Sequence, residues 1–120
     1  MTDTLRERAT AVVIRDNKVL LVRHSSGGFR EFAMPGGGIE SGESPISAAA
    51  RELREETGLE AKQIEYVCTW DSPIFRHHAF RIEAEGEINI DPEEISEFRW
   101  WDRKEDLPTF GHVEAILKRL

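Results

Sequence analysis

The stretch GGGIESGESPISAAARELREETGL, Gly36 to Leu59, carries five glutamates and two arginines between three opening glycines and a closing Gly58-Leu59. Helix signals frame its second half. Ser44 can cap a helix, Pro45 suits the first helical position and Gly58 can end it, which predicts a helix from about Ser44 to Thr57. On that helix Ile46, Ala49, Ala50 and Leu53 form an apolar stripe. Glu52, Glu55 and Glu56 share a neighbouring arc, because they are spaced i, i+3 and i+4.

Like charges at that spacing oppose helix formation by a few tenths of a kcal/mol per pair, roughly, and by more where burial lowers the dielectric. Two readings account for the crowding. One is a solvated face laced with ion pairs to Arg51 and Arg54. The other is a seat for a hard divalent cation such as magnesium, which takes carboxylate and carbonyl oxygens and is commonly completed by substrate phosphates.

Outward from this helix the chain alternates strand-like and helix-like periods. Ala9 to Arg15 and Lys18 to His24 are aliphatic and β-branched and flank Asp16-Asn17, which predicts an antiparallel hairpin. A short extended piece, Arg30 to Pro35, leads into the glycines. Further strands are expected at Ile64 to Trp70, His77 to Gly86 and Glu97 to Asp102. A closing amphipathic helix is expected over Gly111 to Leu120, with Val113, Ile116, Leu117 and Leu120 on one side. The order predicts an α/β fold in which helices cover a mixed sheet. Neighbouring strand residues face opposite ways, so His77 and His78 do not make a paired metal site, and Trp100 and Trp101 cannot both face inward on one side.

A chain of 120 residues suits one domain over 1–120, able to bury roughly two-thirds of its unfolded surface. Hydrophobic residues make up 39% and charged residues 32%, with no apolar run near the ~20 residues a bilayer requires. Met1 to Thr10 lacks the basic-then-apolar order of a secretory signal, and Cys68 is the single cysteine, so a reducing cytoplasm is expected. The net charge of -7 argues against a nucleic-acid polymer as partner, since such binding clusters Lys and Arg. An anionic small molecule would need a cation to dock. A monomer or homodimer without membrane contact is expected.

Gly37, five residues, Glu43, seven residues, then Arg51-Glu52-Leu53-x-Glu55-Glu56-x-Gly58-Leu59 satisfies every specified position of the Nudix box. A chance match is on the order of one in a billion per starting residue. The chain therefore resembles the Nudix hydrolases, and in its element order the small MutT-like members. The resemblance implies an α/β/α sandwich with a mixed sheet. It also implies hydrolysis of a phosphoanhydride in a nucleoside diphosphate linked to another group, with magnesium, or manganese in its place.

Carried over by position, Glu52, Glu55 and Glu56 would bind metal with the Gly37 carbonyl, Arg51 would hold the carboxylates, and Glu43 would support them from the loop. Gly36, Gly37 and Gly38 would border the substrate. A further acid is expected from Glu93, Glu94 or Glu97, with Glu94 preferred. Glu52 is the leading general base, and Arg23, ending the second strand, matches a phosphate-contacting arginine. Pro-Thr-Phe-Gly before the last helix lacks the asparagine that oxidised-guanine enzymes use there, so that specificity is not expected. An ADP-ribose-type pyrophosphatase and a non-catalytic nucleotide sensor are the alternatives. A sensor is expected to lack one of the three box acids, and all are present.

Overall fold

The structure, a computed structural model, describes residues 4–120; the first three residues of the stretch read for a leader lie outside it. Seven strands and two helices follow in order: β1 (Arg6–Val12), β2 (Ile14–Arg15), β3 (Lys18–His24), β4 (Gly36–Gly38), α1 (Pro45–Thr57), β5 (Glu60–Asp71), β6 (Phe75–Glu85), β7 (Ile95–Trp101) and α2 (Gly111–Leu117). One sheet has the order β4-β1-β6-β5, with β1 parallel to β6 and antiparallel to β4; the other, β2-β3-β7, is antiparallel.

The hairpin turn forms at Asp16-Asn17, whose φ values of 51° and 64° are the left-handed pair of a type I′ turn. Its first arm differs from expectation. Only Ile14 and Arg15 pair with β3, while β1 crosses into the other sheet. Ala9, Thr10, Ala11 and Val12 are all fully buried, and a strand covered on both faces is satisfied only with neighbours on both edges. A two-stranded hairpin would leave one edge open.

Helix α1 begins as its sequence predicts. Ser44 Oγ accepts the Ser47 amide at 3.2 Å, Pro45 opens the helix, and Gly58 ends it at φ 76° with its amide bonded to Arg54 O. The packed face is rotated, however. Ala48, Ala49, Leu53 and Thr57 are buried, whereas Ile46 is 42% exposed and Ala50 half-buried. Two consecutive alanines let the helix lie close over Ala9 and Ala11 in a shared core with Leu53 and Ile82. A second core on the other side joins Val12, Leu21, Met34 and Trp101 to Val113, Ile116 and Leu117 of α2. Leu120 lies beyond that helix and is exposed, so the apolar stripe ends at Leu117.

The result is an α/β/α arrangement. It also resolves the tryptophan pair: Trp101 packs in the α2 core and Trp100 against the α1 core, so opposite faces of β7 are both covered.

Candidate active site

Strand β4 lies beside β1, pairing Gly38, Gly37 and Gly36 with Arg8, Ala9 and Thr10, and it runs under the C-terminal half of α1. Side chains are excluded there. A Cβ on Gly36 would stand 2.2 Å from Ala9 O, and one on Gly37 would stand 2.5 Å from the Glu52 carboxyl carbon. The residue before Pro35 is clamped at both backbone groups: Met34 N–H donates to His112 Nε2 at 3.2 Å, and Met34 O accepts Arg8 Nη2 at 2.7 Å. His112 stacks on His77 with ring centroids 4.4 Å apart, and His77 Nδ1 is 3.0 Å from Thr10 Oγ1. Burial lowers both imidazoles, His77 to about 4 and His112 to about 2, so this pair is a neutral support for the segment that leads into β4.

Arg51 accounts for much of the charge crowding on α1. Its guanidinium grips Glu43 through two bonds of 2.7 and 2.9 Å and reaches Glu52 at 2.9 Å, Glu55 at 3.1 Å and Gly38 O at 3.1 Å. That grip, with the Glu40 amide, pulls the Glu43 carboxyl down to about 2. Burial raises Glu52 against the opposing pull of Arg51.

Glu56 sits differently. It is 3% exposed and accepts the Gly36 amide at 3.1 Å, and burial pushes its carboxyl up to about 8 although Arg8 and the Gly36 amide pull the other way. His24 Nδ1 lies 3.9 Å from Glu56 Oε2. Burial and the Arg8 charge lower His24 to about 4, and its buried Nε2 has no hydrogen-bond partner.

These groups surround one cavity of about 320 Å³. Glu52 and Glu56 line it from the helix, Glu93 and Glu94 from the loop before β7, and Gly36, Gly37 and Gly38 from beneath. Arg8, His24, Ser26 and Phe75 complete it. Glu55 and Glu43 are not among its lining residues; both are bonded to Arg51. A larger groove of about 650 Å³ across β5 and β6 shares no residue with α1 and gathers no comparable set of acids.

Arg23 is also absent from the cavity lining. It bonds Glu97 at 2.7 Å and lies over the Phe32 ring. Arg23 pairs across the ladder with Glu97, the β3–β7 register shifts between Arg23 and His24, and His24 takes the cavity side. Glu97 goes with Arg23, leaving Glu93 and Glu94 as the late acids near the helix. Arg8 and His24 were not picked out as site residues from sequence. The available signal for Arg8 was its i, i+2 relation to Thr10, the one polar residue between Ala9 and Val13, which sets the two on the same strand face.

Among the described residues no three acid, histidine or cysteine side chains are gathered ready to hold a metal ion. Arg51 holds Glu52 and Glu55, and Glu56 is turned to the Gly36 amide. The donor chemistry nevertheless fits a hard cation: the cavity combines carboxylates with a glycine backbone, and at Gly37 the missing side chain lets the Glu52 carboxyl come close to it.

A family model described as NUDIX domain matches residues 5–116. The chain belongs to the Nudix family. It is 36% identical over 109 residues to the NAD-capped RNA hydrolase NudC of Escherichia coli O1:K1 / APEC, a match covering 88% of this chain and 42% of that protein. The chain thus spans less than half the length of the curated relatives it matches. Among solved Nudix structures, a candidate family member from Chromobacterium violaceum superposes with a TM-score of 0.84 at 28% identity, over 99% of this chain and 78% of that one. The MutT NUDIX hydrolase of Burkholderia pseudomallei reaches 0.85 at 20% identity, over 98% and 99%, and at that identity speaks for the fold alone.

One consequence of the Nudix glycines can be measured. Gly37→Ala is expected to lower kcat at least about tenfold, because the new methyl displaces the Glu52 carboxylate. The melting temperature should barely move, since the displaced atoms are the far end of a flexible side chain. Kinetics and melts of the same preparation check this; unchanged kinetics would show that Gly37 does not set the position of Glu52.

Proposed function

We propose that the chain hydrolyses a phosphoanhydride bond in a nucleoside diphosphate linked to another moiety, using magnesium or manganese. The observation that carries this reading is the meeting of Glu52, Glu56 and Glu94 around one cavity floored by Gly36 to Gly38. Glu52, Glu56, Glu94 and the Gly37 carbonyl would hold the cation, and Glu55, the remaining box acid, is bonded to Arg51 outside the cavity lining. When bound, the cation neutralises diphosphate charge and makes the attacking water more acidic.

The protein's own groups divide the remaining work. Glu52 accepts the proton of the attacking water; its burial, which favours the neutral acid, makes it a stronger base than a free carboxylate. Arg51 aims Glu52 through the 2.9 Å bond and is itself fixed by Glu43. The Gly36 amide aims Glu56. The name of the 36%-identical relative adds nicotinamide dinucleotides to the diphosphates worth testing. Among the described residues no helix is long and apolar enough to cross a membrane, and a small nucleotide is the proposed partner.

The test is a panel of nucleoside triphosphates, nucleotide sugars, ADP-ribose, NAD and dinucleoside polyphosphates with magnesium or manganese, followed by product analysis. At least one is expected to yield a nucleoside monophosphate with pyrophosphate or a phosphorylated remnant. Binding without turnover above a Glu52→Gln control would make the protein a nucleotide sensor instead.

A further inference from the structure

We propose that Arg8 is the cation that holds the substrate's diphosphate in this cavity, the part its sequence position suggested for Arg23; the inference rests on the diphosphate reading above. Arg8 lies on β1 between Gly38 of β4 and His77 of β6, at the floor of the site, and is 9% exposed. Its guanidinium is held by two protein acceptors, Met34 O at 2.7 Å from Nη2 and Thr10 Oγ1 at 3.3 Å from Nε. Nη1 makes no hydrogen bond to any described residue. One edge of a planar donor fork is therefore fixed by protein, and a further edge is left for an anion.

The neighbouring charges separate this role from a simple counter-ion. A guanidinium retained only to neutralise Glu56 would be expected to bond to it, as Arg51 bonds to Glu43. Instead Glu56 takes its hydrogen bond from the Gly36 amide, and Arg8 acts on it only through the field. Burial works against the Arg8 charge and the Glu56 and Glu52 carboxylates work for it, so the cation persists in a nearly closed position.

No other arginine or lysine lines the cavity, where four glutamates meet. Arg51 stands behind those acids with its donors committed to Glu43, Glu52, Glu55 and Gly38 O. Arg23 is committed to Glu97. A diphosphate entering between the acids adds negative charge to negative charge. Arg8 is placed to offset it with paired N–H donors whose geometry suits phosphate oxygens as acceptors.

Imidodiphosphate, a non-hydrolysable diphosphate, serves as the probe in calorimetry with magnesium present, using wild type, Arg8→Lys and Arg8→Gln. Arg8→Gln is expected to weaken its binding at least about tenfold, the effect of losing one charge-assisted hydrogen bond, and Arg8→Lys to recover part of the loss. With any nucleotide that turns over, Arg8→Gln should raise KM more than it lowers kcat. If Arg8→Gln does not fold, Arg8→Lys decides alone, with an expected weakening of about threefold or more because lysine lacks the fork. The magnesium-induced rise in melting temperature should persist in Arg8→Lys. Binding within twofold of wild type in the folded variants would overturn the inference and leave Arg8 as a field partner of Glu56. Failure of wild type to bind imidodiphosphate would overturn it as well. Arg8-dependent binding without turnover of any nucleotide would sustain it while removing the hydrolase reading.

Discussion

Glu52→Gln is expected to lower kcat at least about 100-fold, the lower range for removal of a positioned acid-base group, with little change in fold. Glutamine keeps the side chain's shape and one oxygen that can still accept Arg51 Nη1, so the grip that now holds Glu52 at 2.9 Å survives. Basicity is lost. Glu52 is the box acid that both lines the cavity and is aimed by Arg51, and burial sets it above an ordinary glutamate. Glu94 shares the cavity and adds to the charge felt by Glu52 and Glu56, but among the described residues no donor aims its carboxylate, so Glu94→Gln should cost less. Steady-state kinetics on the substrate found in the panel compare the two. A larger loss from Glu94→Gln would move the general base to the loop before β7.

Glu56→Gln is expected to melt at the same or a higher temperature than wild type in chelator, yet to gain far less from magnesium. Ligands that bind only the folded state stabilise it by mass action, and this substitution removes a proposed donor. The apo gain has a structural source: burial at 3% exposure forces Glu56 to take up a proton on folding at neutral pH, whereas glutamine can accept the same Gly36 amide with no proton to bind. Activity should fall in the same variant.

The pH dependence follows from the same burial. The Glu56 carboxyl stands near 8 in the folded protein against 4.5 for the free group, so between those values the folded state holds the proton that the unfolded state has released. The stability this contributes is complete below pH 4.5 and is lost as pH rises through 8. In chelator, wild type should therefore weaken across that window by on the order of 1 kcal/mol per pH unit, and Glu56→Gln should lack this slope. Melts at several pH values with chelator or magnesium measure both effects. A variant clearly less stable in chelator, with the full magnesium gain, would assign Glu56 to structural support alone.

Much of the site is written locally in the chain. Ser44, Pro45 and Gly58 set the ends of α1 through bonds to their own near neighbours. Once that helix exists, the spacing of Arg51, Glu52, Glu55 and Glu56 places four charged groups on adjoining arcs whatever the rest of the fold does. Asp16-Asn17 likewise carries its turn in two backbone angles. The box spacing in one continuous segment identified the family, and the element order carried the α/β/α class.

What only the tertiary structure decided is which groups far apart in sequence share a face. Ala9 to Arg15 looks continuous, but burial on both sides of Ala9 to Val12 is met by β6, so the strand divides between two sheets. That parallel pairing sets Arg8 beside His77 and below Glu56, a meeting no short-range period encodes. The sequence sets Arg23 and His24 side by side on a strand but does not say which faces the cavity; the pairing of β3 with β7, which brings Glu97 to Arg23 and shifts register before His24, makes that choice. The exposed Ile46 has the same origin, since helical period defines a stripe while close packing of alanine on alanine selects its rotation. Local spacing determines neighbours along one element because the covalent chain holds them there. Partners across elements are chosen by burying strand edges and apolar faces together, an energy that exists only when the whole fold has closed.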